Sequence, residues 1–332
     1  MKIFSLLFSS VPVLFLLASC GSSKEESPVA KVRFGLFPNV THAQGLVARH
    51  ASRTGQGWIG YEKYLGERIG RPVSIQWYSY NAGPSAMEAM FAGALDFTYV
   101  GPGPAINAYA KSRGALLQII AGSVQGGSAL VVPEDSTAGA PEDFRGKVIA
   151  TPQLGNTQDI ACRAWLAKAG LTITQSGGDV RILPTPNPEQ INLFRQKKID
   201  AAWTVEPWVS RLESNAKGKI LVDESEAITT VLTARREFMS QNPGITKAVI
   251  EAHRDLTRWI LEHPEDAQKI VVEEIEDLSH SKIDPGLVKQ AWKRLLPTHE
   301  ISQKKLDLFV GDAAQCGFFK NTSDISDIVA PY

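Results

Sequence analysis

Five short segments of this chain share one kind of chemistry. Phe37-Pro38-Asn39-Val40-Thr41-His42, Asn81-Ala82-Gly83-Pro84-Ser85, Gly101-Pro102-Gly103-Pro104, Gly155-Asn156-Thr157-Gln158-Asp159 and Val205-Glu206-Pro207-Trp208 each set glycine, proline or small polar residues where an apolar run gives way to a helical stretch. A helix start presents N–H groups that have no intrahelical partner, together with the positive end of the aligned peptide dipoles. It therefore suits sulfonate, nitrate, phosphate or carboxylate groups. Proline fits the first helical position, where its missing N–H is not needed, and Thr41, Asn156 and Thr157 are N-cap types. One such turn is ordinary chain-turning chemistry; five of them point to a site. His42 follows a cap and either donates to an anion or serves the turn. Trp203 and Trp208 either wall a pocket or belong to the core, with Trp208 the more exposed. Glu206 repels an anion at close range, so it either caps its helix or pairs with the ammonium of a zwitterion such as an amino-sulfonate.

These turns need strands and helices to hold them. Apolar runs at Val32–Leu36, Val73–Trp77, Phe97–Val100 and Leu117–Ala121 read as strands, with helices at Gly57–Ile69, Pro84–Ala92 and Pro104–Ser112 between them. A second set follows: strands Ala129–Val132, Val148–Ala150, Val180–Leu183, Ile199–Trp203 and Ile220–Val222, with helices Gln158–Ala169, Pro188–Gln196 and Pro207–Glu213. After a further strand, Thr229–Ala234, the chain is helical over Ile245–Glu262, Pro264–Glu276, Pro285–Leu295 and Ser302–Cys316. Alternation of this kind predicts an α/β protein with mainly parallel sheets, whose strand-to-helix turns gather at the carboxyl ends of the strands. Two modules and a tail predict two lobes, 31–125 plus 229–332 and 127–226, with crossovers at Gly126-Gly127-Ser128 and around Ser225–Thr230.

Bulk properties exclude other classes. Lys+Arg and Asp+Glu both total 35, so there is no positive field to draw nucleic acid or an anionic bilayer. GxSxG, HExxH and Walker-type glycine motifs are absent, the six histidines are dispersed, and no metal site or cofactor is expected. The acidic pair Glu273–Glu274 reads as solvated on a charged helix. At the N-terminus, Lys2 precedes an apolar stretch from Leu6 to Leu17 that is too short to span a bilayer, and Leu17-Ala18-Ser19-Cys20 follows. This resembles a bacterial lipobox, which implies removal of residues 1–19, lipid on Cys20 and a flexible tether to Ala30. Cys162 reads as a buried free thiol within a helix, and no disulfide with Cys316 is expected.

The stretches FPNVTHAQGL (37–46), NAGPSAMEAMFAGALDFTYVGPGPAINAY (81–109), TPQLGNTQDIACRAWL (151–166) and IDAAWTVEPW (199–208) resemble the nitrate/sulfonate/taurine class of ABC-importer solute-binding proteins, above all its aliphatic-sulfonate branch. The likeness covers most of the mature chain and departs from the commoner pattern over ARHASRTGQGW (48–58). It implies a type II periplasmic-binding-protein fold whose two lobes close over a ligand. The residues it implies for binding are Asn39, Thr41, His42, Ser85, Gly101, Pro102, Gly127, Ser128, Thr157, Gln158, Glu206 and Trp208. It also implies a monomer, lipid-anchored on the outer face of the cell membrane, that serves a permease and its ATPase. The cargo is an organosulfonate on this reading, with nitrate, bicarbonate or a thiamine-precursor pyrimidine as alternatives, and a ligand-sensing lipoprotein as a different role.

Overall fold

The structure is a computed structural model that describes residues 29–173, 178–318, 325 and 327–331. The expected leader, the lipidation site Cys20 and nearly all of the tether lie outside them. The chain opens with β1 (Ala30–Leu36), α1 (Ala43–Thr54), α2 (Tyr61–Ile69), β2 (Val73–Ser79), α3 (Gly83–Phe91), β3 (Phe97–Val100), α4 (Pro102–Lys111) and β4 (Leu117–Gly126). It continues through β5 (Ser128–Pro133), β6 (Val148–Thr151), α5 (Thr157–Lys168), β7 (Arg181–Pro184), α6 (Asn187–Arg195), β8 (Ala201–Val205), α7 (Trp208–Ala216) and β9 (Gly218–Asp223). It closes with β10 (Ile228–Arg235), α8 (Arg236–Gln241), α9 (Pro243–Glu262), α10 (Pro264–Ser279), α11 (Pro285–Trp292), β11 (Leu295–Pro297) and α12 (Gln303–Gln315).

Two sheets result, in the orders β11-β4-β10-β3-β1-β2 and β7-β6-β8-β5-β9. Each is covered on both faces by apolar side chains. In the first, Phe34, Tyr61, Phe97 and Leu256 pack on one side and Met90, Ile106, Leu306 and Val310 on the other. In the second, Phe144, Leu166 and Trp203 oppose Phe194, Val209 and Leu212. The chain passes from the first sheet to the second between Gly126 and Ser128, and returns between Asp223 and Ile228. Helix α12 then packs on α4 and α5, touching both sheets' helices.

The sheets are mixed, not mainly parallel. β1 runs parallel to β2 and β3, and β6 to β7 and β8, but β10 is antiparallel to β3 and β4, and β5 to β8 and β9. The antiparallel members flank the two passages, where a strand leaves one sheet and its successor comes back. Helix α1 was absent from the strand-and-helix pattern because its apolar stripe is weak. Its polar residues are buried instead: the Gln44 amide donates to Ser123 O at 2.6 Å and accepts from Ser123 Oγ at 2.9 Å. The helix predicted from Gly57 begins only at Tyr61, since Gly57 (φ 79°) and Gly60 (φ 84°) hold left-handed conformations that interrupt a helix. Of the stretch 48–58 that departs from the commoner family pattern, residues 48–54 belong to α1. Glu274 is also not solvated: it is fully buried, paired with Arg49, with Arg53 at 2.7 Å and with His50 at 3.2 Å, whereas Glu273 is exposed. The predicted helix to Leu295 stops at Trp292, and Leu295–Pro297 adds β11 to the edge of β4.

A buried polar chain crosses the first core. His253 Nε2 must donate to Gly122 O (2.7 Å), so Nδ1 accepts the Tyr99 hydroxyl (3.1 Å) and Tyr99 Oη accepts from Tyr61 (2.8 Å). Burial lowers the His253 pKa to about 4. The unfolded chain therefore binds the extra proton first, and the stability His253 confers is lost as pH falls from about 6.5 towards 4. The stability gap between the wild type and His253→Gln should narrow by roughly 2 kcal/mol between pH 7 and pH 4.5. Urea midpoints at the two pH values read it directly, and a constant gap would contradict a neutral His253.

Candidate functional site

Residues of all five strand-to-helix turns, Val205 alone from the fifth, meet between the two sheets. They line a cavity of about 40 Å³ with Phe37, Asn39, Thr41 and His42 from the turn after β1, Asn81–Gly83 and Gly101 from those after β2 and β3, and Asn156, Thr157 and Gln158 from the one after β6. A single water needs roughly 10–15 Å³, so this room suits a head group of a few non-hydrogen atoms. Among the described residues, no Arg, Lys, Asp or Glu lines it. Hydroxyls, carboxamides and helix starts must do whatever binding occurs there.

The polar groups are set by local hydrogen bonds. Asn156 caps α5, its Oδ1 accepting from Asp159 N at 2.8 Å, and its Nδ2 donates to Gln158 Oε1 at 3.2 Å. Thr157 Oγ1 accepts from Gly103 N at 3.2 Å, a bond between one sheet's helices and the other's, which leaves its hydroxyl proton to donate elsewhere. His42 is no cation. Its Nδ1 accepts from Phe37 N at 3.3 Å, its ring stacks on Phe37 at 4.3 Å, and burial lowers its pKa to about 3. The proton of the neutral ring then sits on Nε2. Thr230, 1% exposed, also lines the cavity, and its Oγ1 is a buried hydroxyl with no hydrogen-bond partner among the described residues. An unpartnered buried polar atom costs free energy unless something completes it.

Close approach explains the glycines. A Cβ on Gly101 would lie 2.3 Å from Thr157 Oγ1, and one on Gly103 would lie 3.1 Å from Thr157 N and Cα. Gly83 likewise makes room for Pro104, whose Cγ would be 2.2 Å from an added Cβ. Gly127 combines φ 74° with a position where a Cβ would meet Leu295 Cδ2 at 2.3 Å. The two sheets' helix starts thus abut directly, and only hydrogen atoms fit between them.

Asn39, Thr41, His42, Gly101, Thr157 and Gln158 come together at this cavity. Pro102 and Ser128 line a neighbouring one that shares Thr157, Gln158 and Thr229. Four residues implied by the family resemblance face elsewhere. Ser85 Oγ donates to Ala82 O at 2.8 Å, and Gly127 O accepts from Glu206 N at 2.8 Å. Trp208 Nε1 donates to Asn39 Oδ1 at 3.1 Å, joining α7 to the turn after β1, and its ring carries Arg211 at 4.5 Å. Glu206 is fully buried, accepts from Ser210 N (3.1 Å) and Oγ (3.0 Å), and meets Arg294 Nη1 at 2.7 Å. Burial raises its pKa, which Ser210 and Arg294 partly reverse. Glu206 thus caps α7 and ties it to the segment before β11. Trp203 is core, 2% exposed, with Nε1 donating to Glu224 at 2.8 Å. Sequence reasoning missed Asn187 and Thr230. Thr185-Pro186-Asn187-Pro188 is the same turn chemistry after β7 and could have been counted as a sixth loop. Nothing in the sequence marks Thr230, which projects from a strand.

Cys162 and Cys316 are free thiols, the first buried with its pKa pushed well up by desolvation, the second pushed up to about 11.

Two mixed sheets joined by two passages, with helix starts of both meeting at one cavity, define a periplasmic-binding-protein fold. Solved structures agree. The alkanesulfonate-binding protein SsuA from Xanthomonas axonopodis pv. citri, bound to MOPS, is similar with TM-score 0.71 and 19% identity, covering 90% of this chain and 98% of that one. The nitrate-binding protein NrtA from Synechocystis PCC 6803 is similar with TM-score 0.67 and 14% identity, covering 91% and 86%. The chain belongs to the NMT1-like family, whose pattern matches residues 25–275. A Brucella abortus protein named only as a binding protein is 27% identical over 219 residues, 64% of this chain. That alignment spans 65% of the relative's length, just under two thirds.

Proposed function

We propose that this chain is the extracytoplasmic solute-capturing component of an ABC importer, lipid-anchored through Cys20 and working as a monomer with a permease and an ATPase. Its cargo is a small anionic or zwitterionic solute, an aliphatic sulfonate or taurine first. The observation that carries this is the unpartnered Thr230 hydroxyl inside a cavity that both sheets' helix starts line. Neutral donors hold an anion without the cost of a buried counter-charge. The likeness to SsuA supports the sulfonate assignment. The role on this reading is capture: the similar solved proteins are solute-binding proteins, and His42, the one titratable side chain among the described residues lining the cavity, is held neutral by burial. A second reading, an uncharged pyrimidine, is favoured by the Phe37–His42 stack and by carboxamides that both donate and accept.

Melting curves of the soluble form with taurine, short alkanesulfonates, nitrate, bicarbonate and an aminopyrimidine decide between these. A captured solute at a hundred times its Kd stabilises by about 2.7 kcal/mol, or roughly 5 °C in Tm. A shift confined to nitrate, bicarbonate or the pyrimidine would overturn the sulfonate assignment. Flat traces for every solute would overturn capture of this class.

A further inference from the structure

We propose a second small-molecule site, behind the wall formed by Thr157, Gln158 and Thr229, that takes an amphipathic amine: one ammonium on a flat apolar body. A cavity of about 430 Å³ opens there between α5, α12 and the return passage before β10. That is within the range of drug-sized ligand pockets and about ten times the room of the first cavity. Its apolar walls include Trp165, Trp203, Phe309 and Leu308, the two tryptophans meeting edge to face at 5.8 Å. Leu308, at the mouth, is 63% exposed, the most exposed large apolar side chain among the described residues.

Charge selects the occupant. The lining holds three carboxylates, Glu224, Glu226 and Asp312, against two ammonium groups. Lys305 is engaged by Glu226 (2.8 Å) and Lys168 by Asp312 (2.7 Å), so among the described residues Glu224 is the lining carboxylate left without a cation. Glu224 Oε2 accepts from Trp203 Nε1 and from Ser128 Oγ, while Oε1 has no hydrogen bond among the described residues. An ammonium on Oε1 completes the charge balance while its apolar body lies against the tryptophans.

The site is coupled to the first. Ser128 Oγ, which donates to Glu224, also accepts from Gln158 Nε2 at 3.5 Å, and Gln158 lines both cavities. The inference stands on this pocket alone and does not depend on which solute the first cavity captures.

Phenethylamine and 3-phenylpropionate, similar in shape and opposite in charge, are the probes, titrated calorimetrically into the wild-type protein. The amine is expected to saturate one site at least tenfold more tightly than the acid. Glu224→Gln should erase that preference, and so should Leu308→Lys, a surface change at the mouth that leaves the fold alone. Equal binding of amine and acid, or a preference untouched by both variants, overturns the proposal. So does displacement of the amine in strict competition with the solute identified by melting, which would put the probe in the first cavity.

Discussion

Replacing Gly101 by valine is expected to weaken solute capture roughly a hundredfold while the chain still folds. The backbone at Gly101 (φ −66°, ψ 151°) suits any residue, so the substitution strains nothing within its own lobe. The clash is across the cleft: the new Cβ falls 2.3 Å from Thr157 Oγ1, an atom fixed by Gly103 N in the first turn of α5. The start of α4 and the start of α5 must move apart. Overpacking of this size costs about 1–3 kcal/mol, and a hundredfold loss of affinity corresponds to about 2.7 kcal/mol. Because apparent affinity scales with the fraction of molecules in the competent arrangement, the loss should appear in Kd, with Tm in the absence of solute within about 2 °C of the wild type. Titration calorimetry checks it; affinity within threefold of the wild type would mean that the abutting helix starts do not govern binding.

Arg294→Met is expected to cost about 3–5 kcal/mol of folding stability. Arg294 reaches from the segment before β11, at the edge of the first sheet, to Glu206 (2.7 Å) and Glu213 (2.8 Å) before and on α7, beside the second. Glu213 keeps access to water, but Glu206 is fully buried and would retain only Ser210. Removing one partner of a buried pair leaves a desolvated charge, whereas neutralising both is close to neutral in free energy. Glu206→Gln combined with Arg294→Met should therefore recover most of the loss. Urea unfolding of the two single variants and the double one reads this as a cycle. A single-variant loss below about 1 kcal/mol would show that Arg294 is not what makes Glu206 tolerable.

Much of this was legible in the chain. β3 was placed to the residue because Phe97–Val100 is a short apolar run bounded by Asp96 and Gly101. Five of the turns that meet at the cavity were found from glycine, proline and cap residues: the prolines and caps answer to local needs of a helix start, while Gly83, Gly101 and Gly103 answer to close approach of other segments. What escaped the sequence depends on contacts between distant segments. Helix α1 is stabilised by burying Gln44 and His50 against Ser123 and Glu274, partners far away in sequence, so its stripe of apolar residues is faint. The direction of β5 and β10 is fixed by how the chain passes between sheets, and alternation of strands with helices is silent on that. Glu206 was a puzzle in the chain because Arg294 lies 88 positions away. Thr230 became informative only once its hydroxyl was seen to have no partner.

The most direct measurement is the affinity, for the solute picked out by melting, of the wild type beside Thr157→Val combined with Gln158→Ala. The two substitutions take away polar groups that line the cavity and spare the apolar clusters on both sheets. If hydroxyls and carboxamides at meeting helix starts hold the solute, Kd rises at least thirtyfold, about 2 kcal/mol. A Kd unchanged within twofold would place the solute somewhere else.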